Sequence, residues 1–142
     1  MADDLLAEFI VATPTEALAF NGGREIEPAL VARHKNFTEL ELGTLYDALK
    51  NTDLCVTDLD CFEIVRNENE GEVMTMRLPD AMVKLLAALD EETLIEVGDR
   101  WSDSDELGER DTIDLYRVIG DLVRLSRRAG RESKGLYLWN AS

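Results

Sequence analysis

Residues 111–139 read DTIDLYRVIGDLVRLSRRAGRESKGLYLW, and this stretch decides the fold. After Asp111, apolar side chains recur at i, i+3, i+4 and i+7, which is the pattern of an amphipathic helix. Asp111 itself is a typical N-cap residue. We therefore predict a helix over 112–129 that lies along the core and that Gly130 ends.

The end of this stretch is an unbroken apolar run, residues 136–139. A strand that is apolar on both faces is usually interior to a sheet, so we expect this run to pair centrally, beside residues 7–12. Residues 7–12 are themselves a short β-rich run. Thr13 and Glu16 follow as a capping box and predict a short helix through Phe20.

The next segment is ambiguous over residues 24–37, where Pro28–His34 suggests another short helix. Thr38 and Glu41 form a second capping box, and the apolar spacing that follows predicts a helix over 39–50.

The middle of the chain is expected to form an antiparallel hairpin from residues 61–66 and 72–78, with Gly71 in the turn at positive φ. Its alternation predicts one shared inner face. The side chains on that face are Phe62, Ile64, Met74, Met76 and Leu78.

Two further helices precede the long one. Pro79 opens a helix through Leu89, and Asp90 caps another over 91–101, in which Glu96 and Arg100 are spaced for an i,i+4 ion pair. The sum is an α+β fold in a single domain, residues 1–142, with a small mixed sheet of about four strands, a central antiparallel hairpin and about five helices.

The net charge is the outlying property. The 142 residues include 30 Asp and Glu against 15 Lys and Arg, which gives a formal charge of −15. Such a charge repels phosphate backbones and anionic lipid, so direct nucleic-acid binding is disfavoured and a basic protein is the expected partner.

The start of the chain is acidic, whereas an export signal begins with basic residues, and its apolar run is too short for a membrane span. We expect a soluble, cytoplasmic protein with reduced cysteines.

Sites of catalysis and metal binding are not recognised in the sequence. His34 is the one histidine and no nucleophile signature accompanies it, while Cys55 and Cys61 lie too far apart for a Cys-x-x-Cys motif and too few ligands surround them for zinc. Asp58-Leu59-Asp60 fails the calcium-loop pattern and Gly22-Gly23-Arg24 fails the phosphate-loop pattern. We predict no cofactor, no metal and no catalytic residue.

The charge is distributed unevenly. Residues 1–111 hold 27 acidic and 9 basic side chains, whereas residues 112–142 hold 3 and 6. Ten of the acids lie within 90–111 and outnumber their local partners. The residues we select for partner binding are Trp101, Asp103, Asp105, Glu106 and Glu109.

A basic patch is also predicted on the last helix. Its residues are Arg124, Arg127, Arg128 and Arg131. The simpler interpretation is that these arginines complement the helix dipole and that Asp114 and Asp121 pair with Arg117 and Arg124.

The leading functional hypothesis is a non-enzymatic interaction module, immunity-, antitoxin- or adaptor-like, that docks a basic protein through residues 90–111. The alternative is a small-molecule binding domain or enzyme with a pocket between the hairpin and the helices, to which His34, Tyr46 or Arg77 supplies polar groups. A third hypothesis is a structural role through self-association. The sequence leaves the oligomeric state open.

Overall fold

A five-stranded antiparallel sheet forms the centre of the structure, a computed structural model that describes residues 5–20, 27, 30–50, 62–104 and 110–141. The strands stand side by side in the order β2-β1-β5-β4-β3. They are β1 (Leu6–Ala12), β2 (Val31–Lys35), β3 (Glu63–Glu68), β4 (Val73–Arg77) and β5 (Gly135–Ala141). The described helices are α1 (Pro14–Ala19), α2 (Glu39–Lys50), α3 (Asp80–Ala87), α4 (Glu91–Ser102) and α5 (Thr112–Glu132). The predicted α+β class is confirmed, and the sheet is antiparallel throughout rather than mixed.

Strand β5 lies at the middle of the sheet, as its apolar sequence predicts. It pairs with β1 on one side and with β4 on the other. Leu136 and Leu138 pack into the main core, while Tyr137 and Trp139 belong to a second cluster on the opposite face. Burial on both faces explains why the run carries no charged residue.

The main core lies between one face of the sheet and helices α2 to α5. The smaller cluster on the other face includes Ala17 and Phe20, at the end of α1, with Phe20 and Trp139 edge to face at 5.4 Å between ring centroids. Helix α1 begins as predicted, because Thr13 and Glu16 form a complete capping box.

The predicted helix at Pro28–His34 is wrong from Val31 onward, because residues 31–35 form β2. This strand pairs antiparallel with β1, from Ile10 opposite Val31 to Leu6 opposite Lys35. The pairing provides hydrogen-bond partners for backbone N–H and C=O groups on the outer side of β1. Because β1 is distant in sequence, local sequence patterns do not predict this stabilisation. Pro28 lies outside the described residues.

The hairpin β3–β4 is confirmed, and Gly71 has φ +91° in its turn. The predicted inner face is wrong at Ile64, which is 53% exposed although Met76 opposite is buried. Strand β3 is the edge of the sheet, where a shift in the pairing register follows Ile64.

Helix α5 runs along the core, but Gly130 does not end it. The helix continues to Glu132, and Ser133 adopts the left-handed conformation at φ 55°. The N–H of Lys134 then donates to the Ala129 carbonyl oxygen at 2.9 Å, the bond expected of a Schellman C-cap. The capping position is thus taken by serine, three residues beyond the glycine.

The second capping box is formed only in part. The Thr38 hydroxyl accepts from the Leu40 N–H and donates to the Glu41 carboxylate, so the reciprocal backbone bonds of a box are replaced by a side-chain pair. Helix α2 nevertheless spans residues 39–50, as predicted.

Candidate docking surface on helix α4

The orientation of α4 is fixed by Trp101, which is fully buried. Its indole N–H donates to the Glu41 carbonyl oxygen and to the Thr44 hydroxyl, each at 3.0 Å, and both acceptors belong to α2. The sequence selects Trp101 for partner binding, although its position in the helical repeat also suits the core; in the structure the indole is enclosed and its polar group is satisfied internally. Its contribution to a docking surface is to hold α4 in place.

The same buried face of α4 packs closely on α5 at Gly98. A Cβ atom at this position would collide with the ring of Tyr116, so only glycine permits the observed approach. The Tyr116 hydroxyl donates to the carboxylate of Asp99, and this bond holds the pKa of Tyr116 above its ordinary value. Trp101 and Gly98 together set which residues of α4 face outward.

The outward face of α4 is acidic. At 100° per residue, positions 92, 95, 96, 99 and 103 fall within one sector of the helix, and each of them is exposed. Four are carboxylates, and the fifth, Ile95, is 49% exposed. Glu91 adjoins them on the first turn. We call the following carboxylates the α4 acidic stripe: Glu91, Glu92, Glu96, Asp99 and Asp103.

The stripe is not neutralised by the basic residues of the described chain. Each described ion pair joins residues outside it; examples at 2.9 to 3.3 Å are Arg66–Glu68, Arg33–Glu8, Arg77–Asp80 and Lys134–Glu16. Within the described ranges, the side chains of Glu91, Glu92, Glu96 and Asp103 have no hydrogen-bond or ion-pair partner, and the predicted Glu96–Arg100 pair is not formed.

The predicted basic patch on α5 is largely paired with its own neighbours. Arg127 donates to the carbonyl oxygens of Ala87 and Leu89, at 3.0 and 2.7 Å. Arg128 pairs with Glu132, and Arg124 lies 3.9 Å from Asp121.

Arg117 similarly lies 3.7 Å from Asp114. The intrahelical pairing that the sequence predicts for Asp114 and Asp121 is therefore confirmed, while Arg131 is exposed.

Several residues singled out in the sequence lie outside the described ranges. They are Asp105, Glu106 and Glu109 of the predicted partner site, both cysteines, the Asp58–Asp60 segment and the Gly22-Gly23-Arg24 stop.

The polar groups proposed for a small-molecule pocket do not converge. His34 lies on β2 with its Nε2 atom 2.9 Å from Asp121, Tyr46 is buried on α2, and Arg77 stacks over Tyr137 on the other face of the sheet.

A cavity of about 230 Å³ adjoins His34. In a Ser–His–Asp arrangement the histidine activates a neighbouring nucleophile. Among the described residues that line this cavity there is no Ser, Thr or Cys.

Comparisons with known proteins give no relative: no family model, no curated protein and no solved structure matches this chain. None of the described helices is long and apolar enough to cross a lipid bilayer. We therefore infer function from the geometry and charge of this chain.

Proposed function

We propose that this protein is a non-enzymatic docking module that binds a basic protein through the α4 acidic stripe. The observation that supports the proposal is the lack of any described ion-pair partner for Glu91, Glu92, Glu96 and Asp103 in a chain of net charge −15. An immunity-, antitoxin- or adaptor-like role in the cytoplasm is consistent with it.

The physical reason is mutual repulsion within the stripe. Carboxylates one turn apart on a helix destabilise it when no cation lies between them, and arginine or lysine side chains of a partner relieve that cost. The same field attracts a basic partner before contact, so association should be fast and should slow as salt is added.

Ile95 gives the stripe an apolar centre. Exposed apolar atoms surrounded by charges are typical of the middle of an interface, where a partner excludes water from them. Charge alone would produce weak, unspecific attraction, whereas Ile95 offers area whose burial adds affinity.

The test is affinity capture from native host lysate with three forms of the protein. The first is the wild type, and the second carries Glu91→Gln, Glu92→Gln and Glu96→Gln. The third is a control of equal charge, with exposed hairpin residues replaced as Glu63→Gln, Glu70→Gln and Glu72→Gln.

We expect a basic protein to be captured in stoichiometric amount by the wild type and the hairpin variant. The α4 variant should lose it, as should the wild type at several times physiological ionic strength. Equal capture by both variants, or no stoichiometric basic protein at all, would show that the stripe is not a docking surface.

A further inference from the structure

A groove lies beside the first turn of α4, where the segment joining α3 to α4 crosses α5. Its cavity volume is about 350 Å³, within the lower range of ligand pockets. The residues that line it are Leu89, Asp90, Glu91, Leu94, Gly120, Val123 and Arg127.

The floor of the groove is apolar and open. Leu89 and Val123 are almost fully buried, Leu94 is half-buried, and Gly120 contributes no side chain. Apart from Gly120's chain neighbours and the backbone of its own helix, no described heavy atom lies within 4 Å of the place where a Cβ at Gly120 would stand. The groove therefore has room for an apolar group at its centre.

The walls of the groove are held in place. Arg127 donates to the carbonyl oxygen of Ala87, at the end of α3, and to that of Leu89, in the α3–α4 junction, and so ties the junction to α5. Asp90 accepts from the N–H and the hydroxyl of Thr93, at 2.8 and 2.6 Å, so this cap fixes the opening turn of α4. A preformed groove loses little freedom when it is filled.

The rim of the groove is continuous with the α4 acidic stripe. Glu91 belongs to both, and Asp90 stands next to it with a pKa held below its ordinary value by the hydrogen bonds from Thr93. An occupant that places apolar atoms on the floor thus meets carboxylates at the edge.

We propose that the groove receives one large apolar side chain of the basic partner segment, whose lysine or arginine residues lie over Asp90, Glu91 and the stripe. This inference rests on the proposed function and names the chemistry of the partner: a basic, amphipathic protein segment. The arrangement is that of an anchor side chain in a groove surrounded by charge complementarity.

Charge argues against three other occupants. A second copy of this chain carries −15 as well and would be repelled, and so would the anionic surface of a membrane. A neutral apolar ligand would offer no ion pair to Asp90 or Glu91.

The experiment selects binders from a random-peptide display library on the folded protein. We expect enrichment of peptides that combine Lys or Arg with a Leu, Ile, Phe or Met within one or two helical turns. The best peptide is then synthesised in two forms, one as selected and one with its apolar residue replaced by alanine. The alanine form should bind about tenfold more weakly or worse, because it loses one buried side chain.

Two protein variants locate the anchor. Gly120→Leu fills the groove, whereas Gly130→Leu places the same side chain at an exposed position of the same helix, where a Cβ also meets nothing within 4 Å. Both changes favour the helix. Gly120→Leu should weaken peptide binding about tenfold and Gly130→Leu by less than about twofold.

The outcomes separate the two proposals. Basic peptides without an apolar residue, bound equally by Gly120→Leu, would overturn the groove inference and leave the docking function standing. Selected peptides that lack basic residues, or that bind the α4 glutamine variant as well as the wild type, would overturn both. The alanine peptide keeps the test decisive if Gly120→Leu does not fold.

Discussion

The two tryptophans of this chain are both buried, but their indole N–H groups differ in hydrogen bonding. Trp101 donates its indole N–H to two acceptors on α2, whereas the indole N–H of Trp139 is buried without a partner. Trp101→Phe removes both of these hydrogen bonds from the buried interface of α4 with α2, while Trp139→Phe removes an unsatisfied donor.

We therefore predict that Trp101→Phe lowers the free energy of unfolding by about 1–3 kcal/mol more than Trp139→Phe. Both variants lose a similar volume, so the difference isolates the hydrogen bonds. Urea unfolding at neutral pH measures it. Equal losses in the two variants would contradict the placement of Trp101 against Glu41 and Thr44.

Glycine positions on the helices offer a second comparison. Gly98→Ala forces the Tyr116 ring away from α4, whereas Gly120→Ala enters open space. We expect Gly98→Ala to be about 1–3 kcal/mol less stable than Gly120→Ala by urea unfolding. The penalty should disappear in a Tyr116→Ala background. A penalty that persists there would mean that Gly98 is required for another reason.

At the scale of elements, α3 and α5 are joined by Arg127. Its guanidinium donates to carbonyl oxygens at the end of α3 and just beyond it, whereas Arg131, one turn further along α5, has no side-chain partner among the described residues. Arg127→Met should cost about 1–2 kcal/mol of unfolding free energy, and Arg131→Met less than about 0.5 kcal/mol. Thermal or urea unfolding distinguishes them. If the two variants are equally stable, the arginines act as a surface patch instead.

The N-cap residue of α4, Asp90, should make the stability of the protein depend on pH in the acid range. The folded-state pKa of Asp90 lies below its ordinary value of 3.8, because Thr93 donates to the ionised carboxylate. The stabilisation is present above that ordinary value and is lost as the pH falls through the lower, folded-state pKa.

Asp90→Asn keeps an acceptor at the cap but does not titrate. Urea unfolding should be measured from neutral pH to below 3.8. The free energy of unfolding should therefore fall less steeply with decreasing pH in Asp90→Asn than in the wild type. Identical pH profiles for the two proteins would show that this cap does not hold the charged form.

The elements that the sequence predicts well are those with local signals. The capping residues Thr13, Asp90 and Asp111 each stand at the start of a helix in the structure. Strand β2 was missed because its stability comes from pairing with β1, which is distant in sequence. The end of α5 was placed too early because Ser133, not Gly130, adopts the positive φ.

At the scale of the whole molecule, uncompensated charge should limit stability. Because the α4 acidic stripe lacks described cation partners, its glutamine triple variant should unfold at a higher urea concentration than the wild type at about 0.01 M ionic strength. The difference should shrink at about 0.15 M. The hairpin triple variant serves as the control, and an equal gain there would attribute the effect to net charge alone.

The candidate site was only partly predictable. The surplus of acids over 90–111 is visible in the sequence, and the inward phase of Val97 and Trp101 implies an outward face of glutamates. Which carboxylates remain unpaired depends on contacts such as Arg33–Glu8 and Lys134–Glu16, which link distant segments. The groove at Gly120 likewise requires the packing of three elements.

The most direct measurement is carboxyl footprinting of the captured complex by carbodiimide labelling and mass spectrometry. We predict that Glu91, Glu92 and Glu96 become protected when the basic partner binds, while Glu70 and Glu72 on the hairpin keep the labelling of the free protein. Unchanged labelling of the α4 carboxylates in a saturated complex would contradict it.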